Sequence, residues 1–166
     1  MTIDGSLPPP PTVVGGNPAI RNLTVQNTST AATGAAVIMV SEGTNGANNV
    51  TIKNVNVLGQ DPTQTLLGIH VGGNSVGTSP VVAPNNNSRI ENCSIKRAIL
   101  GIFNNGLTAT PATGTVITQN DMSATGADRL RRAGIFFFNQ DGIQVTENSI
   151  GGIETNEGAD AIGIIR

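Results

Sequence analysis

The chain has 166 residues, of which 37% are hydrophobic, 12% charged and 2% aromatic, with 21 glycines and a formal net charge of −2. That length suits one domain with a continuous core, and regularly spaced aliphatic residues argue against disorder. So small a charge gives no reason to expect a nucleic-acid or membrane-surface partner, and the single cysteine, Cys93, excludes an intrachain disulfide.

The opening "MTIDGSLPPPPTVVGG" lacks the basic and apolar regions of a signal peptide. No run approaches the roughly 18 apolar residues of a membrane span, so the chain is read as soluble, with export left to a signal lying elsewhere. From here one pattern recurs: an aliphatic residue, mostly polar residues, then another apolar residue. It appears as Ile20–Val25 (IRNLTV), Ile52–Val57 (IKNVNV), Ile90–Ile95 (IENCSI), Ile117–Met122 (ITQNDM) and Val145–Ile150 (VTENSI), with starts 32, 38, 27 and 28 residues apart. A second pattern, glycine leading an apolar strand, interleaves with it. It begins at Gly34, Gly68, Gly101, Gly134 and Gly163, in steps of 34, 33, 33 and 29 residues. Helical periodicity is confined to a single turn near residues 126–133, "GADRLRRA".

Short strands joined by irregular turns, at a repeat near 30 residues, predict a solenoid rather than a sandwich. Sandwich hairpins would need fixed two-residue turns between matched runs, and the sequence has none. The expected fold is all-β, a right-handed parallel β-helix of about five coils forming one domain over residues 1–166. Its coils start near Ile20, Ile52, Ile90, Ile117 and Val145, and those five residues form one interior row. Val25, Val57, Ile95, Met122 and Ile150 form another. Asn22, Asn54 and Asn92 share one offset, and Asn120 and Asn148 share the next, as expected of asparagine ladders at a turn. Arg21, Lys53 and Glu91 would make an outward charge ladder, and Cys93, aligned with Leu23 and Val55, a small core residue.

"MTIDGS", "IRNLTVQN", "NNVTIKNVNV" and the repeating "GI" strands resemble the β-helix repeat proteins of the pectin-lyase-like superfamily. They are most similar to the repeat regions of large exported bacterial surface proteins. The resemblance spans nearly the whole chain and implies the fold more specifically than any activity, because its motifs describe turns and core. It also implies an extracellular or cell-surface location.

Strand alternation then sorts "GIFFFN", residues 134–139: Ile135 and Phe137 face the core, Phe136 and Phe138 face out. Across coils the outward position reads Ala36, His70, Phe103, Phe136 and Ile165, an apolar and aromatic stripe, with Phe138 lacking an aromatic counterpart. Two readings stand side by side. In one, a turn (residues 72–84 or 123–133) folds over the stripe and the rings stack. In the other, sugar rings stack on His70, Phe103 and Phe136 while Arg129, Arg131 and Arg132 contact acidic groups, making polysaccharide the ligand.

The superfamily also contains polysaccharide lyases and glycoside hydrolases, which need clustered carboxylates, with calcium in the lyase case. Here Glu91, Asp121, Asp128, Asp141, Glu147 and Asp160 are scattered, and the polygalacturonase-type signatures are missing. Asp121 and Glu147, in adjacent coils, are the nearest approach to a pair. His70 has no second histidine or cysteine beside it to build a zinc site. No cofactor is expected outside the lyase alternative. The leading expectation is a non-catalytic structural or adhesion module, with carbohydrate as its candidate ligand, whose uncapped ends meet further coils or another chain.

Overall fold

The computed structural model describes residues 1–6, 17–30, 35–41, 43–78, 81–155 and 161–166. Gly34 and Asp160, singled out above, lie outside them. Each coil runs through three short strands, and equivalent strands of successive coils pair in parallel. The first sheet stacks Thr2–Asp4, Thr51–Lys53, Arg89–Glu91, Val116–Thr118 and Gln144–Thr146. The second stacks Leu23–Gln26, Val55–Leu58, Ser94–Lys96, Asp121–Met122 and Ser149–Ile150. The third stacks Ala35–Val40, Thr65–Val71, Ala98–Asn105, Leu130–Phe138 and Ile162–Ile165. The result is a parallel β-helix of five rungs, with a two-stranded patch (Ala112–Thr113 on Gln140–Asp141) at one corner. The expected helical turn reduces to a 3₁₀ turn at Gly126–Asp128, after which the chain returns to strand at Leu130.

One row of the sequence reading is corrected. Ile3, not Ile20, stacks on Ile52, followed by Ile90, Ile117 and Val145. Ile20 belongs to a short 3₁₀ turn within an insertion between the first two strands of coil one. The second row stands as expected: Val25 on Val57, Val57 on Ile95 and Met122 on Ile150. Ile52, Val57, Ile90, Ile95, Ile117 and Met122 are fully enclosed.

The third sheet breaks simple alternation. Leu67 joins an outer cluster while both Gly68 and Ile69 point inward. Leu100, Gly101 and Ile102 repeat the arrangement, as do Ala133, Gly134 and Ile135. Two successive inward positions crowd the interior, so the first must carry no side chain. A Cβ on Gly68 would lie 2.5 Å from the Ile95 Cγ2 and 2.6 Å from the Gly101 carbonyl oxygen. One on Gly101 would lie 2.6 Å from the Gly134 oxygen and 2.8 Å from the Leu130 Cδ1.

Between the first and second sheets the chain turns on a left-handed residue in four coils: Asn54 (φ 60°), Asn92 (φ 48°), Gln119 (φ 58°) and Glu147 (φ 55°). The Asn92 amide donates to the Asn54 Oδ1 (2.7 Å), and Gln119 donates to the Glu147 carboxylate (2.9 Å). One position later, Val55 and Cys93 give way to Asn120 and Asn148. Buried Asn120 accepts from the Cys93 N–H (2.9 Å) and donates to the Ile90 carbonyl (3.0 Å) and the Asn148 Oδ1 (2.9 Å). The offset between asparagine pairs therefore marks two adjacent ladders that exchange chemistry halfway along the axis.

Arg21 departs from the expected outward ladder. It is buried, donates from Nε to the Asn92 carbonyl (3.1 Å) and from Nη2 to the Asn92 Oδ1 (3.1 Å), and lies 3.7 Å from the Asp121 carboxylate. Asn17 bonds the same amide, its N–H donating to Oδ1 (2.6 Å) and its carbonyl accepting from Nδ2 (3.1 Å). Asn17 and Arg21 thus tie the end of the coil-one insertion to coils three and four. Asp4 fills the vacated place in the charge column and pairs with Lys53 at 3.1 Å, while Glu91 pairs with Arg89 at 2.6 Å.

Gly101→Ala is expected to destabilise the fold by about 1–3 kcal/mol through overpacking, read as a lower denaturation midpoint. Asn92→Ala removes the side-chain amide that bonds the Arg21 Nη2, the Asn17 N–H and carbonyl, and the Asn54 Oδ1. It is expected to cost about 1–3 kcal/mol in the same assay, more than Asn56→Ala on the outer face of the second sheet.

Candidate functional site

The phenylalanine assignment follows the register. Ile135 is enclosed and Phe137 packs on the main core; Phe136 packs on a separate outer cluster with Leu67, Ile99, Leu100, Phe103 and Ala133. One detail of the stripe differs from expectation. Met39, not Ala36, pairs with His70, because Ala36 pairs with Leu67 and Ile38 with Ile69, which puts Val37 in the place of Gly68. Phe138 stands in register with Asn105, so it lacks an aromatic counterpart as expected, while its ring lies 4.5 Å from Phe136 and 6.3 Å from Phe103. Phe103 meets Phe136 edge-on at 5.6 Å and His70 at 5.6 Å with a 40° tilt, inside the range that aromatic pairs favour.

The column is covered. Phe103 is 0% and His70 1% exposed, leaving neither ring a surface for a ligand. The cover is the segment following the Thr65–Val71 strand. Gly72 lies so close on His70 that a Cβ there would overlap the imidazole, and Val76 packs on the outer cluster. Phe136 is half-buried and Phe138 is the exposed member of the group. Burying Phe103 contributes about 1.5–3 kcal/mol, which explains an aromatic column without a ligand.

The arginines lie at the start of the Leu130–Phe138 strand. Arg129 donates to the Gly126 carbonyl (2.8 Å) and faces Glu154, its carboxylate 3.9 Å away. Arg131 is half-buried and Arg132 exposed; both fall in the irregularity where the strand shifts register between Leu130 and Ala133.

Cys93 is enclosed, and burial pushes its thiol up to about 12, which suits a core residue rather than a nucleophile. Of the acids, Asp121 accepts from the Ser123 hydroxyl (2.7 Å) and faces Arg21, whereas Glu147 sits at the neighbouring corner bonded to Gln119. The two carboxylates are thus engaged separately. Among the described residues, no three of His, Cys, Asp and Glu converge as a metal site would require.

A cleft absent from the sequence reading opens on the outer face of the second sheet, with a volume of ≈ 200 Å³. Thr24, Asn56 and Ser94, in register one above another, form its polar floor, and Leu58 adds an apolar patch. Lys96, Arg97 and Asp128 form its wall. Arg97 Nε lies 2.7 Å and Lys96 Nζ 3.5 Å from the two Asp128 oxygens. The Arg97 hydrogen bond, opposed by partial burial and aided by both cations' charge, holds the Asp128 carboxyl below its ordinary range. Asp128 is therefore ionised and a poor proton acceptor. Hydroxyl, amide and cationic groups in one groove can hydrogen-bond a hydroxyl-rich or acidic ligand. The sequence signal was the polar residue recurring at one offset, Thr24, Asn56 and Ser94; Asp128, brought in by the 3₁₀ turn, gave none.

Native protein at pH 8 is expected to leave Cys93 unmodified by an aromatic disulfide reagent, with one thiol released on denaturation. Rapid modification of the folded chain would contradict the core assignment. No family model, no curated protein and no solved structure matches the chain.

Proposed function

We propose that this chain is a non-catalytic structural or adhesion module of a secreted or surface β-helix protein, able to hold carbohydrate in the cleft of the second sheet. The observation that carries the reading is the division of its surface. The aromatic column is consumed by internal packing, while a polar groove with Lys96, Arg97 and Asp128 stays open. The resemblance of the repeat motifs to pectin-lyase-like repeat regions supports the same reading, and the exported location is proposed on that resemblance alone.

The test is retention on immobilised polysaccharides, both acidic (pectin, alginate) and neutral (xylan). Retention by the parent that falls at least tenfold in Lys96→Ala/Arg97→Ala, with far-ultraviolet circular dichroism unchanged, supports the cleft. Retention that survives this change but is lost in Phe138→Ala moves binding back to the exposed aromatic. Calcium-dependent release of unsaturated products from pectin or alginate would overturn the non-catalytic reading in favour of a lyase.

A further inference from the structure

His70 is the only histidine in the chain, so anything its ring does can be observed without overlap. It lies on the outer face of the third sheet at 1% exposure, and neither ring nitrogen has a hydrogen-bond partner. A buried imidazole without partners is tolerated only while neutral, because burial of an unpaired cation is far costlier than burial of an apolar ring. The groups around it offer no relief. Met39 stands opposite on the preceding strand and Phe103 on the following one, with Gly72 against Nε2. Beyond them lie Leu67, Leu100 and Val76 of the outer cluster. None of these residues is ionisable, so among the described residues no carboxylate is placed to meet an imidazolium.

The cover over the ring is slight. Gly72 is tied at both of its backbone groups, its N–H donating to the Val40 carbonyl (3.2 Å) and its carbonyl accepting from Asn85 (3.1 Å). Residues 73–78 beyond it form no strand and are half-buried or exposed, with Val76 as their contact to the cluster. Lifting that segment leaves every rung pairing of the three sheets intact.

We propose that protonation of His70 releases residues 73–78 from the outer face of the third sheet, uncovering Phe103 and its aromatic neighbours in mild acid. The direction follows from proton linkage. Desolvation lowers the pKa of the covered ring below its ordinary value near 6.5. The uncovered state therefore binds the proton first. Below about pH 6.5 the closed form loses ground by about tenfold per pH unit, until the covered ring itself titrates. At neutral pH the face stays shut.

The experiment combines three readings on the full chain between pH 7.5 and 4.5: nuclear magnetic resonance of the His70 ring, amide hydrogen exchange, and binding of a hydrophobic dye. The expected result is one transition, below the ordinary histidine range, in which the ring protonates, amides 73–78 exchange at least tenfold faster and dye binds, while rung amides stay protected. His70→Met, of similar bulk and unable to ionise, is expected to remove the transition. Its circular dichroism and neutral-pH exchange would match the parent. A ring that titrates near 6.5 with no change at 73–78 would overturn the proposal. So would acid opening that persists in His70→Met, or exchange that accelerates through rungs and cover together.

Discussion

Along the third sheet, Gly68, Gly101 and Gly134 stack so closely that a Cβ on each would press on the carbonyl oxygen of the glycine one coil further on, at 2.6–2.9 Å. This contact permits two neighbouring residues per coil to face inward. Because glycine takes the first place, Ile69, Ile102 and Ile135 can fill the second and reach the centre of the helix. The same reversal throws Leu67, Leu100 and Ala133 outward, beside His70, Phe103 and Phe136. A second apolar cluster outside the sheet is thus a by-product of how the interior is packed. The crossing segment at 72–78 shields it from water.

The opposite corner has a polar solution to the same stacking. In-register repetition at about 4.8 Å places like side chains one above another, and amides exploit this by donating to one copy and accepting from the next. Asn54 with Asn92, and Asn120 with Asn148, satisfy buried backbone groups that aliphatic residues would leave unpaired. The Arg21 guanidinium closes the first ladder from outside, with Asp121 beside it. Burial lowers the guanidinium pKa and Asp121 opposes that shift; arginine retains its charge regardless. The second sheet between these corners keeps its polar residues free for the surface, and the open cleft lies there.

Periodicity made much of this legible. Two interleaved landmarks at a step near 30 residues disclosed the coil, and alternation separated Phe137 from Phe136 and Phe138. The first coil was misread because its insertion separates Thr2–Asp4 from Leu23–Gln26, and "IRN" at the end of that insertion runs into the true strand residues "LTV" so as to mimic a whole repeat. The better match was already present, since "TIDG" at residues 2–5 parallels "TIKN" at 51–54. Ala36 was aligned by counting from Gly34, but in the first coil Val37, between Ala36 on Leu67 and Ile38 on Ile69, takes the place that Gly68 holds in the second.

By itself the sequence determined the parallel stack, its five rungs and the interior rows of coils two to five, because those depend on local spacing repeated many times. Only the tertiary structure decided what is covered. Whether His70 and Phe103 meet water depends on where the 72–78 segment crosses. Whether Arg21 is an exposed charge or a buried tie depends on an insertion folding back over Asn92, and the cleft depends on Asp128 arriving beside Arg97. Each is a single contact between residues about 30 or more positions apart, or a loop's path over a sheet. A periodic pattern carries no record of events that happen once.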